Sequence, residues 1–134
     1  MKLHHATALA LAAASAVTLG PTAGYAASPP ASSSPPNSCF YRRNIESWTA
    51  VDRRTVNLRV NLHDYYQLKL ATECTDIDFS QRIGIETRGS NWICSGLDVT
   101  VISPGPGGPQ RCMGLSLRKL TPAEAAALPP RDRP

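Results

Sequence analysis

Apolar and polar residues alternate without a break from position 55 to position 62. The apolar members are Val56, Leu58, Val60 and Leu62. Because successive side chains of a β-strand point to opposite faces, this pattern predicts a half-buried strand. The alternation returns at Tyr66, Leu68 and Leu70, again on even numbers. This predicts an antiparallel partner, because facing residues of such a pair lie on the same face of the sheet.

The parity also limits the loop between these two strands. An even residue can face an even one only if the loop holds an odd number of residues, so without a bulge it spans 63–65 or 61–65. His63 and Asp64 suit the turn, because both tolerate left-handed backbone better than most residues do.

Three later stretches alternate in the same way. Their apolar members are Ile83 and Ile85, then Leu97, Val99 and Val101, then Met113, Leu115 and Leu117. The turn sequence Arg88–Asn91 predicts that Trp92–Cys94 returns antiparallel to the first of these stretches. Pro104–Pro109 is a break that neither a helix nor a strand crosses, and Arg43–Ala50 is expected to form one helical turn. About five to six strands predict a mainly β fold, a small antiparallel barrel or sandwich.

The end of the chain carries the signals of a short surface helix. Thr121 is an N-cap, Pro122 takes the first helical position, and Glu124 completes a capping box. Of the residues that follow, only Leu128 is large and apolar enough to bury. We therefore expect a short helix and a disordered tail over residues 122–134.

The start of the chain is typical of a secretory signal. Lys2 precedes an apolar run, and Gly24 and Ala26 put small residues at the −3 and −1 positions of a cleavage site. Residues 1–26 are thus predicted to be a cleaved signal peptide, which places the protein in the periplasm or outside the cell.

A linker and one folded domain follow the predicted signal peptide. Nine of the eleven residues from Ser28 to Ser38 are serine or proline. Such a stretch cannot bury apolar surface and tends to be extended. We predict a linker over residues 27–38 and a single β domain over residues 39–121.

Composition narrows the classes of function. The chain has 134 residues, of which 42% are hydrophobic, and this is ordinary for one globular domain. No apolar run reaches the roughly 20 residues of a membrane-spanning helix. The net charge is +4, and removal of residues 1–26 with Lys2 would leave +3. So mild a charge in an exported protein argues against nucleic acid as a partner.

Four cysteines, at positions 39, 74, 94 and 112, fall in the expected β domain. They contain no CxxC pair and have no nearby histidine, which argues against zinc. An even number of cysteines in a small exported domain predicts disulfides. Of the three possible connectivities, we favour Cys39–Cys112 with Cys74–Cys94. The first bond would tie the start of the domain to its last strand, and the second would close a local excursion.

No catalytic or metal-binding constellation stands out. His63 is the only histidine after residue 26, and beside Asp64 it is better explained by a turn than by acid–base catalysis. Asp76 and Asp78 lack the third ligand and the glycine turn of a calcium loop. No serine lies in a GxSxG motif. We therefore predict no catalytic residue, no metal ligand and no cofactor.

The sharpest candidate for binding is an aromatic and basic segment, residues 39–54. Arginine forks and exposed rings suit phosphate, carboxylate or sugar ligands. The alternative places Phe40 and Trp48 in the core and leaves the arginines merely solvated. The predicted binding residues are Arg42, Arg43, Trp48, Arg53 and Arg54.

Residues 39–121 resemble a family of small exported bacterial proteins known only as a domain of unknown function. The residues that carry the resemblance are Cys39-Phe40, Ile45, Trp48, Asp52, Arg54-Thr55-Val56, Tyr65-Tyr66, Cys74, Cys94, Cys112, Leu115, Arg118 and Leu120. The insertion Pro104–Pro109 is longer than the tight turn expected in the family. The resemblance implies export and one compact domain, and it carries over no catalytic residue.

These observations favour an exported, monomeric binding module whose ligand is an envelope protein or an anionic envelope polymer. The rival class is an enzyme that uses carboxylates, Asp52 with Asp64 or Asp98, on an envelope substrate. A third interpretation is a purely structural component of the envelope. A single histidine and the lack of glycine-rich or metal motifs favour binding.

Overall fold

The computed structural model describes residues 38–134. The predicted signal peptide, residues 1–26, and the predicted linker up to residue 37 lie outside the described residues.

The described part of the chain is mainly β, as the alternation predicts. Its strands are β1 (Phe40–Tyr41), β2 (Ile45–Asp52), β3 (Thr55–Val60), β4 (Asp64–Leu70), β5 (Gly84–Thr87), β6 (Trp92–Ile93), β7 (Val99–Ser103) and β8 (Gln110–Lys119). One short helix, α1, spans Pro122–Ala127, and 3₁₀ turns lie at Arg42–Asn44, Ile77–Phe79, Gly96–Asp98 and Pro130–Asp132. Six strands form one curled sheet, a half-barrel, in the order β2-β3-β4-β8-β7-β5, and β1 and β6 form a separate ribbon.

The hairpin of β3 and β4 confirms the parity argument. Val56 faces Leu68, and Val60 faces Asp64, so the loop holds an odd number of residues, but these are 61–63 and not the expected 63–65 or 61–65. The left-handed residues are Asn61 and Leu62, with φ of 50° and 66°, and not His63 and Asp64 as expected. Leu62 was expected on the buried face, but in this turn it is 63% exposed.

Strand β8 departs from the predicted alternation because it contains a bulge. Ser116 faces Lys69 and Gly114 faces Leu70, so Leu115 is an extra residue without a partner in β4. A bulge exchanges the faces of the strand. Leu117 is therefore buried, whereas Met113 and Leu115 are 45% and 54% exposed.

Three local predictions upstream and downstream of the hairpin are also wrong. Trp92–Ile93 does not return on β5; it pairs with β1, and β5 pairs with β7. The expected helical turn over Arg43–Ala50 is limited to Arg42–Asn44, since β2 begins at Ile45. Leu97 lies in a 3₁₀ turn and is 57% exposed, so it does not extend β7.

The core lies on the concave side of the half-barrel. It is formed by Phe40, Val56, Leu58, Val60, Tyr66, Leu68, Leu70, Cys74, Ile77, Ile93, Val99, Val101, Cys112 and Leu117. Apart from Asp64 at the start of β4, the even-numbered residues of β3 and β4 all belong to this set, because both strands present the same parity to it.

Both disulfides are present, but their predicted pairing is wrong. The bonds are Cys39–Cys94 and Cys74–Cys112. The register of the ribbon explains the first bond: Phe40 faces Ile93, so the cysteines next to them lie across from one another. The second bond links the segment after β4 to its neighbour β8.

We expect the two bonds to contribute substantially to stability. Their partners are 55 and 38 residues apart, and the chain-entropy model assigns about 4 kcal/mol to loops of this size. Peptide mapping without reduction should recover Cys39–Cys94 and Cys74–Cys112 peptides. Serine at both positions of either bond should lower the free energy of unfolding in urea by about that amount. A peptide linking Cys39 to Cys112 would contradict the assignment.

The C-terminal residues that follow α1 contact the sheet. Residues 129–133, which we call the strap, cross the convex face of the sheet over β2 and β3. The Nδ2 of Asn57 donates to the carbonyl of Asp132 at 2.8 Å, and the hydroxyl of Thr49 donates to that of Arg133 at 3.3 Å. Asn57 is completely buried, because the strap covers it on the side away from the core. Contacts with the sheet thus continue past residue 121.

The strap should make Asn57 important for stability. Asn57→Ala removes the donor of the part-buried hydrogen bond to the Asp132 carbonyl, so the free energy of unfolding should fall by about 1–3 kcal/mol. In a chain ending at Leu128 the strap is absent and residue 57 is exposed to water. The same substitution should then change the free energy of unfolding by no more than about 0.5 kcal/mol. Urea unfolding of the four chains measures this difference, and an equal loss in both backgrounds would contradict the role of the strap.

The predicted capping box of α1 is confirmed. The Thr121 N–H donates to the Glu124 carboxylate at 2.7 Å, and the Glu124 N–H donates to the Thr121 hydroxyl at 3.2 Å. The Arg118 guanidinium donates to the same carboxylate at 2.7 Å. The backbone bond from Thr121, followed by the bond from Arg118, lowers the pKa of Glu124 from 4.5 to about 2.

This shift predicts a pH dependence with a definite sign. A carboxyl group whose pKa is lowered on folding stabilises the fold above its unfolded pKa, and that contribution is lost as the pH falls toward the folded pKa. The stability difference between the natural chain and Glu124→Gln should therefore be constant above pH about 5 and shrink between about 4.5 and 2. A carbon NMR titration of Glu124 with a midpoint in its ordinary range would contradict this.

Candidate functional site

The predicted binding residues do not form one surface. Arg42 and Arg43 come directly before β2, and Arg53 and Arg54 directly after it. The strand has eight residues, so the two pairs lie roughly 26 Å apart. Trp48 lies between them, half-buried against the core. The structure thus divides the predicted site into two.

The first site is built on the ribbon of β1 and β6. One face of the ribbon carries Phe40 opposite Ile93, and both side chains are buried in the core. The other face carries Tyr41 opposite Trp92. Because neighbours along a strand point to opposite sides, burial of the first pair places the second pair at the surface.

Two rings and two polar side chains make up this surface, which we call the ribbon patch: Tyr41, Arg43, Asn91 and Trp92. The rings of Tyr41 and Trp92 meet edge to face, with centroids 5.5 Å apart and planes at 89°. The guanidinium carbon of Arg43 lies 4.8 Å from the centre of the Tyr41 ring. Trp92 is 53% exposed, so a large part of its surface is open to a ligand.

Several contacts hold the ribbon patch in place. The Cys39–Cys94 bond closes the ribbon next to its buried pair. The Arg42 N–H donates to the carbonyl of Asn91 at 2.8 Å, which continues the pairing of β1 with β6. The side-chain amide of Asn91 donates to the Tyr41 hydroxyl at 3.2 Å. The exposed rings are therefore fixed before any ligand arrives.

Arg43 belongs to the predicted binding set, whereas Trp92 does not. Trp92 was expected in a strand returning antiparallel on β5, which would have made it a sheet residue. A local signal was present, because Ile93 stands between Trp92 and Cys94. In a strand that ends at a disulfide, burial of Ile93 turns Trp92 outward.

The second site lies at the β2–β3 turn, where Arg53 and Arg54 border a groove of about 590 Å³. Lys69 of β4 contributes a third positive charge to this groove, and Leu115 and Ser116 of β8 complete one side. We call it the basic groove. Of its cations, the two arginines belong to the predicted binding set and Lys69 does not, because Lys69 lies on β4, opposite Thr55 of β3.

The acids that the alternative, a carboxylate-dependent enzyme, would use first are Asp52 and Asp64, and they lie far apart. Asp52 faces Thr55 and Asp64 faces Val60, so the two acids flank opposite ends of β3, roughly 17 Å apart. Pairs of carboxyl groups that act on one glycosidic bond lie within about 10 Å. Asp64 forms an ion pair with Lys119 at 2.7 Å, and this hydrogen bond raises the pKa of Lys119.

The third acid also has a structural partner. The carboxylate of Asp98 accepts the N–H groups of Cys94 and Ser95 at 2.9 and 2.8 Å, completing the cap of a 3₁₀ turn. Within residues 38–134, no three His, Cys, Asp or Glu side chains come together as metal ligands. No helix in this part of the chain combines the length and apolar character that crossing a bilayer requires.

The fold and the ribbon patch define a small, disulfide-bonded, mainly β domain with an exposed aromatic and basic surface. The chain belongs to DUF6491, a family of unknown function, whose model matches residues 1–133. The resemblance seen in the sequence is thereby confirmed. Comparison with curated proteins finds no match, and comparison with solved structures finds none either.

Proposed function

We propose that this protein is an exported, non-catalytic binding module whose ribbon patch binds an anionic glycan of the cell envelope. The observation that carries the proposal is the exposed Trp92 on a ribbon anchored by Cys39–Cys94. A large exposed ring on a rigid support is unfavourable in water and favourable for a ligand that covers it.

Export is supported by cysteine chemistry and by the start of the sequence. All four cysteines are joined in disulfides, which persist in oxidising compartments. The first 26 residues have the charge, apolar run and small cleavage residues of a secretory signal. Both observations favour the periplasm or the cell exterior.

The chemistry of the ribbon patch favours a glycan. An aromatic face packs against the apolar C–H face of a sugar ring, and the polar tip of such a residue stays solvated. Asn91 and the nearby Ser90 offer groups that can hydrogen-bond hydroxyls. The guanidinium of Arg43 suits a carboxylate or phosphate substituent. No carboxylate pairs with Arg43 among the ion pairs of residues 38–134.

Co-sedimentation with purified peptidoglycan sacculi tests the proposal. The oxidised chain from residue 27 onward should pellet with the sacculi, and Trp92→Ser should weaken this binding by about tenfold or more, as loss of a stacked ring does at other binding sites. Arg43→Gln should weaken it less and reduce its dependence on salt.

Phe79 provides the matched control. It is 78% exposed and lies outside the ribbon patch, so Phe79→Ser should bind as the natural chain does. Trp92 fluorescence should also change on binding to soluble glycan fragments. An equal loss of sacculus binding in Trp92→Ser and Phe79→Ser would show nonspecific hydrophobic adsorption and would contradict the proposal. If the chain captured one envelope protein without glycan, the proposal would be wrong and an adaptor role would replace it.

A further inference from the structure

The basic groove brings three positive charges to one side of the convex face. Thr55, Lys69 and Ser116 stand side by side there, since Thr55 faces Lys69 and Lys69 faces Ser116 in the paired strands. Arg53 and Arg54 border the same groove from the β2–β3 turn. Its volume, about 590 Å³, lies in the range of small-molecule sites.

Neutral acceptors hold two of these cations in position. The Arg54 guanidinium donates to the carbonyl of Ala71 at 3.1 Å, and the Lys69 ammonium donates to the hydroxyl of Thr55 at 2.7 Å. Among the ion pairs of residues 38–134, none includes Arg53, Arg54 or Lys69. The positive charges are therefore positioned but not neutralised.

The turn that carries the arginines is itself fixed. The carbonyl of Arg53 accepts the N–H of Cys74, and the carbonyl of Arg54 accepts the N–H of Leu70, both at 2.8 Å. Cys74 is bonded to Cys112 of β8. The backbone of the turn is thus tied to both strands that form the rest of the groove.

The two acids of the groove offset these charges only in part. Asp52 accepts the backbone N–H of Arg54 at 2.7 Å, so one of its oxygens already has a partner. Glu73 is the other acid at the groove, and it is exposed. Three cations against two acids leave the groove with a net positive charge.

The groove also carries an exposed apolar side chain. Leu115, the extra residue of the β8 bulge, lines the groove and is 54% exposed. Without the bulge, Leu115 would share the face of β8 that carries Leu117, away from the groove. An anion with an apolar substituent can therefore contact both kinds of surface at once.

We infer that the basic groove is a second binding site, for a phosphate ester that carries an apolar group. A phosphate presents several oxygens and up to two negative charges, which suits three cationic side chains better than a single carboxylate does. The apolar substituent lies against Leu115. This site is independent of the ribbon patch, because roughly 26 Å of β2 separates them.

Hexyl phosphate, inorganic phosphate and hexanol are the probes that test this site. Hexyl phosphate should cause saturable amide shifts at Lys69 and Ser116 in NMR spectra of the oxidised chain. Inorganic phosphate should shift the same amides with about tenfold lower affinity, because it lacks the apolar contact. Hexanol should not bind. Equal affinity of the two phosphates would overturn the apolar part of the assignment.

Arg53→Gln is the informative variant, because the Arg53 side chain makes no hydrogen bond or ion pair within the described part of the chain. It should bind hexyl phosphate about tenfold more weakly and unfold at the same urea concentration. Arg82→Gln, at an exposed arginine outside the groove, is the matched control and should bind normally.

Two results would overturn the proposal: no saturable shift at Lys69 and Ser116 up to about 10 mM hexyl phosphate, or equal weakening by both variants. Trp92→Ser separates this site from the proposed function. It should leave hexyl phosphate binding unchanged even where binding to sacculi is lost.

Discussion

The half-barrel has two open edges, β2 and β5, and the rest of the domain is arranged to cover the gap between them. An open edge exposes unpaired N–H and C=O groups and invites aggregation. Here the 3₁₀ turn Ile77–Phe79 packs against β2, and the guanidinium of Arg42 donates to the carbonyl of Ile85 on β5 at 3.2 Å. Trp48 and Ile85 line the cleft between the edges and pack against the core below it. Two predicted binding residues, Arg42 and Trp48, thus have structural roles at this gap.

Closure of the gap also produces the ribbon patch. The chain enters β2 through the turn Arg42–Asn44, so the ribbon strand β1 must lie beside the open edge. Its inner residue, Phe40, packs against Tyr66 with ring centroids 4.5 Å apart, which extends the core toward the gap. The outer residue, Tyr41, is then left at the surface with Trp92. The exposed rings are a consequence of how the ribbon completes the core.

Local pattern predicted the parts of the fold that depend on neighbours in sequence. The β3–β4 hairpin followed from parity because its strands are separated by a short loop, and the cap at Thr121 followed from four consecutive residues. Long-range features could not be obtained in this way. The Cys39–Cys94 bond depends on β1, a strand of two residues whose partner lies some fifty positions away. The Leu115 bulge has no sequence signal, because one extra residue leaves the local alternation intact.

The two proposed sites use the same residue type in different surroundings at the two ends of β2. At the start of the strand, Arg43 lies over the Tyr41 ring, so its charge is presented beside aromatic surface and suits a substituent on a stacked ring. At the end, the Arg54 guanidinium is anchored on a carbonyl beside Lys69, and the charges converge on one small volume. The strap covers the next row of the same face through its hydrogen bond with Asn57. A polymer can extend beyond the ribbon patch, whereas the basic groove suits a compact anionic head group.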